Sequence, residues 1–109
     1  MILVGSAESA LAAPFASAFG VDAYPEPAQR AAICCSRLIR NHPLPDGNKR
    51  VAYGCMRVML ERSGLPWPHP SVNTERVIAV LEAVAAREMS EEEFVLWVQM
   101  RTGVVSRSG

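Results

Sequence analysis

Two apolar helical repeats, separated by a short stretch that a regular helix cannot cross, set the frame of this chain. From Ala28 to about Arg40, the residues Ala31, Ala32, Cys35, Leu38 and Ile39 recur at intervals of three and four, the spacing of one buried helix face. In the stretch that runs to Arg62 or Ser63, Val51, Cys55, Val58 and Met59 share one face, and Ala52, Met56 and Leu60 share another. So wide an apolar surface predicts that this second helix is the central one. Between the two stands His42-Pro43-Leu44-Pro45-Asp46-Gly47. Pro43 keeps the residue before it out of the α region, so the first helix ends at Asn41 or His42. Asp46 is a suitable N-cap for the second helix, and Gly64 followed by Pro66 is its stop signal.

The rest of the chain also reads as helix. Ser6 to about Ala18 places Ala10, Leu11, Pro14 and Phe15 near helical spacing, with Pro14 expected to kink or end the first part. Gly20 to Tyr24 is loop, and Pro25 and Pro27 suit a helix start, where a missing N–H costs nothing. Leu65 to Val72 holds three prolines and reads as an ordered loop. Asn73 or Thr74 caps a helix with Val77, Ile78, Leu81, Val84 and Ala85 on one face. Ser90-Glu91-Glu92-Glu93 is a capping box for a last helix through Phe94, Val95 and Val98, closed by Gly103. The expected fold is all-α: one compact domain of about five helices over residues 1–109, with 104–109 as a tail.

The break between the first two helices concentrates chemistry. His42 titrates near neutrality and can act as a general base, and the Asp46 carboxylate can hold a hard divalent cation. Gly47 and Asn48 open a helix whose first N–H groups lack intrahelical partners, which makes an anion cradle, and Lys49 and Arg50 add positive charge there. Each residue alone has a plainer reading: a helix-end histidine, an N-cap, a turn dipeptide, a surface cation. Together they are the parts needed to move a phosphoryl or nucleotidyl group. Lys49 is the only lysine in the chain, against ten arginines, so a compact ammonium is singled out at this position.

Charge elsewhere sets limits. Eleven basic and eleven acidic side chains cancel, which argues against nucleic acid as a partner of the whole domain. Seven bases against two acids between Arg30 and Arg62 suit an anionic ligand, although Arg37, Arg57 and Arg62 read better as solvated helix faces. Cys34, Cys35 and Cys55 have neither disulfide nor zinc-ligand spacing, and are read as small buried thiols of a reducing, cytoplasmic setting. Met1-Ile2-Leu3-Val4 is too short for a signal peptide, and no apolar run is long enough for a membrane span. Trp67, Trp97 and Phe94 are assigned to packing.

The segment His42, Asp46, Gly47, Asn48, Lys49, Arg50 resembles the signature of the Fic/Doc superfamily, with Leu44 where the family usually has Phe. The resemblance extends from about Gly5 to Gly103 and is stronger to the Doc (death on curing) branch. Lys49 stands where AMP-transferring Fic proteins have a second Gly, and Tyr53 where they have a further Arg. It implies a kinase-type toxin that transfers the γ-phosphate of ATP, with Mg²⁺, to a threonine of the translation factor elongation factor Tu. A Phd-type antitoxin would restrain it. In that scheme His42 is the catalytic base, Asp46 the metal ligand, and Gly47, Asn48, Lys49 and Arg50 bind the phosphates. An inhibitory Ser/Thr-x-x-x-Glu helix within the chain is not expected, since Ser90 is followed four positions on by Phe94. Doc proteins usually have a further helix before the point where this chain starts, and its lack would leave an apolar face for a partner or a second copy. A Fic-type AMP transferase and a catalytically silent binding module are the alternative readings.

Overall fold

The computed structural model describes residues 6–41, 48–67 and 74–104; of residues 6–9, 48 and 74 it describes the backbone alone. Among these residues the chain forms five α-helices and no strand: α1 (Ser6–Ala18), α2 (Pro27–Asn41), α3 (Asn48–Arg62), α4 (Thr74–Ala85) and α5 (Glu91–Thr102). A 3₁₀ turn, Val21–Ala23, joins α1 to α2. The all-α expectation holds.

The caps explain most of the boundaries. Pro27 opens α2, and the Glu26 carboxylate accepts from the next two amides, Ala28 N at 2.6 Å and Gln29 N at 3.0 Å. Two of the orphan donors at the start of α2 are thereby satisfied. Gln99 Nε2 of α5 donates to the same carboxylate at 2.8 Å. At the end of α3, Gly64 (φ 72°) gives its N–H to Glu61 O, and Leu65 N bonds Leu60 O, both at 3.0 Å; this is a Schellman motif on the glycine that the sequence marks. The same pattern ends α4, with Arg87 at φ 62° in the position that glycine normally fills. The capping box of α5 forms as expected: Glu93 N donates to Ser90 Oγ at 3.0 Å, and Ser90 N to Glu93 Oε1 at 2.8 Å.

The central helix is α2, not α3. It packs on α1, α3, α4, α5 and the 3₁₀ turn, and residues Ala31 to Ser36 are all buried, which a one-faced helix cannot achieve. The reason is side-chain size. Ala31, Ala32, Cys34, Cys35 and Ser36 let neighbouring backbones approach from several sides, and the surrounding helices supply the bulk in Leu60, Met56 and Phe94. Each of those large side chains, buried in full, contributes roughly 1.5–3 kcal/mol.

Two helix faces differ from expectation. In α1 the buried residues are Ala12 and Ala16, whereas Ala10, Leu11 and Pro14 are exposed. The helix also continues past Pro14 rather than ending there, and Ala10, whose carbonyl loses its hydrogen bond to that position, is exposed. In α4 the seam is Val77, Val80, Leu81 and Val84, with Ile78 and Ala85 outside it. Both helices carry apolar residues on more than one side, so periodicity alone did not choose the face.

Candidate functional site

The segment that carries the chemistry joins the end of α2 to the start of α3. His42 is the first residue beyond α2, and Asp46 and Gly47 are the two that precede α3; all three lie outside the described residues, as does the side chain of Asn48. What the structure supplies is the frame. α2 ends at Asn41, as Pro43 requires, and α3 begins at Asn48, so that Gly47-Asn48 does open a helix. The two helices pack against each other through Ala31, Ala32, Cys35 and Leu38 on one side and Ala52, Met56 and Leu60 on the other. Six residues therefore link two mutually packed helix ends.

Lys49 and Arg50 are exposed in the first turn of α3, a turn without any acidic residue. The first turn of a helix carries unpaired N–H groups and about half a positive charge. Two cations placed there add repulsion that an isolated helix would avoid. The arrangement is unfavourable to the fold and favourable to an anion.

The other arginines near this end are anchors rather than solvated charges, contrary to the reading of Arg37 and Arg57. Arg37 pairs with Glu91 of α5 at 3.1 Å, donates to Phe19 O at 3.0 Å and to the Tyr24 hydroxyl at 3.3 Å, and lies over the Tyr24 ring. Its pKa is raised, chiefly by the Glu91 hydrogen bond. Arg40, one residue before the end of α2, donates to Val84 O at 3.4 Å and to Met89 O, which ties the exit of α2 to the link between α4 and α5. Arg30 holds the carbonyls of Tyr24 and Pro25 at 2.9 and 2.8 Å. Sequence reasoning missed Arg40 as a positioning residue. A basic residue in the last helical turn signals only a helix-dipole partner, and its actual acceptors lie 44 and 49 residues away.

Tyr53, at the position where AMP-transferring relatives are expected to have Arg, faces a different task. Its hydroxyl accepts from Trp67 Nε1 at 2.9 Å and from Arg57 at 3.4 Å. The three cysteines are buried and none is in a disulfide, as expected. Burial pushes Cys34 up to about 12, with Cys55 adding to the shift, and holds Cys35 well above its usual range, so neither acts as a thiolate nucleophile near neutrality. No group of three or more His, Cys, Asp or Glu suited to a metal occurs among the described residues. No described helix is long and apolar enough to cross a membrane.

Comparison with known proteins agrees with this frame. Residues 3–60 match the sequence model of the Fic/DOC family, a span that takes in α1, α2, the connecting segment and nearly all of α3. The chain is similar to the toxin Doc of Mycolicibacterium smegmatis (strain ATCC 700084 / mc(2)155), at 36% identity over 84 residues. The alignment covers 77% of this chain and 64% of that protein, so the chain spans less than two thirds of this relative's length. No solved structure matches the chain.

Proposed function

The chain belongs to the Fic/Doc family, and from that premise we propose that it is a Doc-like toxin that phosphorylates a hydroxyl of a protein substrate. The observation that carries the proposal is the pair of exposed cations, Lys49 and Arg50, on the acid-free first turn of α3, directly after a histidine and a carboxylate at the family's spacing. A positive helix end loaded with two further positive charges asks for a polyanion, and a nucleoside triphosphate such as ATP supplies one.

In this reading His42 takes the proton of the attacking hydroxyl. The amides around Gly47, with Asn48, Lys49 and Arg50, hold the charge that spreads over the moving phosphoryl group. Asp46 is an oxygen donor of the kind Mg²⁺ takes. That metal needs only one or two carboxylates when phosphates and water complete its shell. When bound, Mg²⁺ would neutralise phosphate charge.

γ-Phosphate transfer rather than AMP transfer is favoured by Lys49, whose side chain fills space that glycine leaves open, and by Tyr53, which stands where the AMP-transferring proteins have a further Arg. The substrate we propose is a translation factor, elongation factor Tu, and the restraining partner a Phd-type antitoxin on a separate chain. Both match the branch that the motif resembles. Incubation of the purified protein with a cell extract and ATP labelled at either the α or the γ position tests the reaction. Label passing to protein from the γ position, and lost in His42→Ala, is the expected result. Transfer from the α position alone would assign the chain to AMP transfer. Transfer of neither would leave a binding module.

A further inference from the structure

Beyond the phosphate-binding end of α3, the same helix leads to a second concentration of cations, here combined with aromatic rings. The Arg101 guanidinium of α5 lies against two indoles at once, its carbon 5.0 Å from the Trp67 ring centroid and 4.9 Å from that of Trp97. The two indoles are 5.8 Å apart at 75°, and Tyr53 meets Trp67 edge-on at 6.2 Å. Arg57 lies over the Tyr53 ring at 5.7 Å. Packing thus fixes the direction of a planar, five-donor fork before any ligand arrives.

Among the described residues Arg101 meets no anion. Its Nε is buried without a hydrogen-bond partner, and the ion pair found among those residues is Arg37 with Glu91. Burial lowers its pKa, and the charged side chain that acts on it besides Tyr53 is another cation, Arg76. A partly buried guanidinium beside a second arginine gains from any partner that brings the counter-charge.

Next to it, an open depression of about 330 Å³ is lined by Leu60, Leu65, Pro66 and Trp67, and by Arg57 and Glu61. Trp67 forms a wall of the depression and also touches Arg101. Glu61, part of the lining, repels an anion from the depression itself, which leaves the depression to an apolar group and Arg101, outside that lining, to the charge. Trp, Tyr and Arg gathered around a small apolar hollow is the composition of a protein-binding hot spot.

We propose that Tyr53, Trp67, Trp97 and Arg101 form a docking point for a partner protein, which places a carboxylate on Arg101 and an adjacent apolar side chain in the hollow beside Trp67. Arg101 donates a charge-assisted pair of hydrogen bonds. The Tyr53 hydroxyl, already accepting from Trp67 and Arg57, has its own proton left to give. This is binding, and stands whether or not the motif transfers phosphate.

The chain's two tryptophans both belong to the cluster, so intrinsic fluorescence reports on it directly. The full chain is titrated with a blocked pentapeptide, Ser-Glu-Leu-Glu-Ser, with its Gln counterpart Ser-Gln-Leu-Gln-Ser, and with inorganic phosphate. The acidic peptide is expected to saturate the signal and to bind roughly tenfold more tightly than either control. Arg101→Met should weaken it about tenfold, and Arg101→Lys, which keeps the charge without the fork, by less. Melting curves establish that each variant is folded, and Trp97→Phe, which keeps an aromatic wall, serves as the second variant should Arg101→Met unfold. Equal binding of the Glu and Gln peptides, no saturable change, or wild-type affinity in folded Arg101→Met would overturn the proposal. Phosphate competing as well as the acidic peptide would reassign the site to a phosphate-bearing ligand and overturn it equally.

Discussion

Lys49 is unfavourable to the fold at the very place where the proposed chemistry would use it. It stands in the first turn of a 15-residue helix, exposed, beside another cation and with no acid in that turn. Helix electrostatics favour the opposite sign here by about 0.3–1 kcal/mol. Lys49→Glu is therefore expected to raise the unfolding free energy by about 0.5 kcal/mol in a urea titration, while label transfer falls roughly a hundredfold, the scale of losing one electrostatic contact to a transition state. A variant that is less stable and still active would remove the anion-site reading. Arg87 is a second residue that departs from local preference, with a left-handed backbone at the end of α4. Nothing in its side chain's surroundings explains the choice over glycine.

Which elements were legible in the sequence, and which were not, follows from how strongly each boundary is signalled. The ends of α3 and α5 were readable because glycines at φ 72° and 81° and a complete capping box mark them chemically. The start of α2 was readable from Pro27, although the Glu26 cap was not, since glutamate is a poor N-cap unless its carboxylate can reach both of the next amides. The faces of α1 and α4 were misread because apolar residues lie on more than one side of each helix, so tertiary contacts made the choice. The rank of α2 over α3 was hidden for a related reason: Ala, Cys and Ser carry little hydrophobic signal, but their size permits close approach on several sides. Pro14 tests the element directly. It interrupts α1 without ending it, at the cost of one hydrogen bond to the carbonyl of Ala10, an exposed residue. Pro14→Ala should raise stability by about 1–3 kcal/mol, seen as a shift of the denaturation midpoint. An unchanged midpoint would mean that α1 is already broken at that residue in solution.

At the scale of the molecule, the sequence offers a list of candidate site residues, and what it hides is how the helices that frame them are held. His42, Asp46 and Gly47 to Arg50 follow one another in the chain, so spacing alone gathers them. The braces come from distant segments: Arg40 reaches the carbonyls of Val84 and Met89, and Arg37 reaches Phe19, Tyr24 and Glu91. No local pattern announces such pairings, because arginine donors and backbone acceptors are compatible almost anywhere. Arg40 matters most, since only Asn41 stands between it and His42, and its bonds tie the last turn of α2 to the α4–α5 link. A base displaced by about 1 Å can lose on the order of a hundredfold in rate, so slack at that turn should reach the chemistry before it reaches the fold. Arg40→Gln keeps a polar, helix-compatible side chain but loses the fork that spans both carbonyls. Its γ-label transfer is expected to fall roughly tenfold or more, with ATP half-saturation little changed, because Lys49 and Arg50 sit on the other helix. Far-UV circular dichroism should be unaltered, and Arg40→Lys, which can still reach one carbonyl, should recover part of the rate. If Arg40→Gln transfers label as fast as the parent chain, the α4–α5 link does not position the base, and the helix ends must hold the site without it.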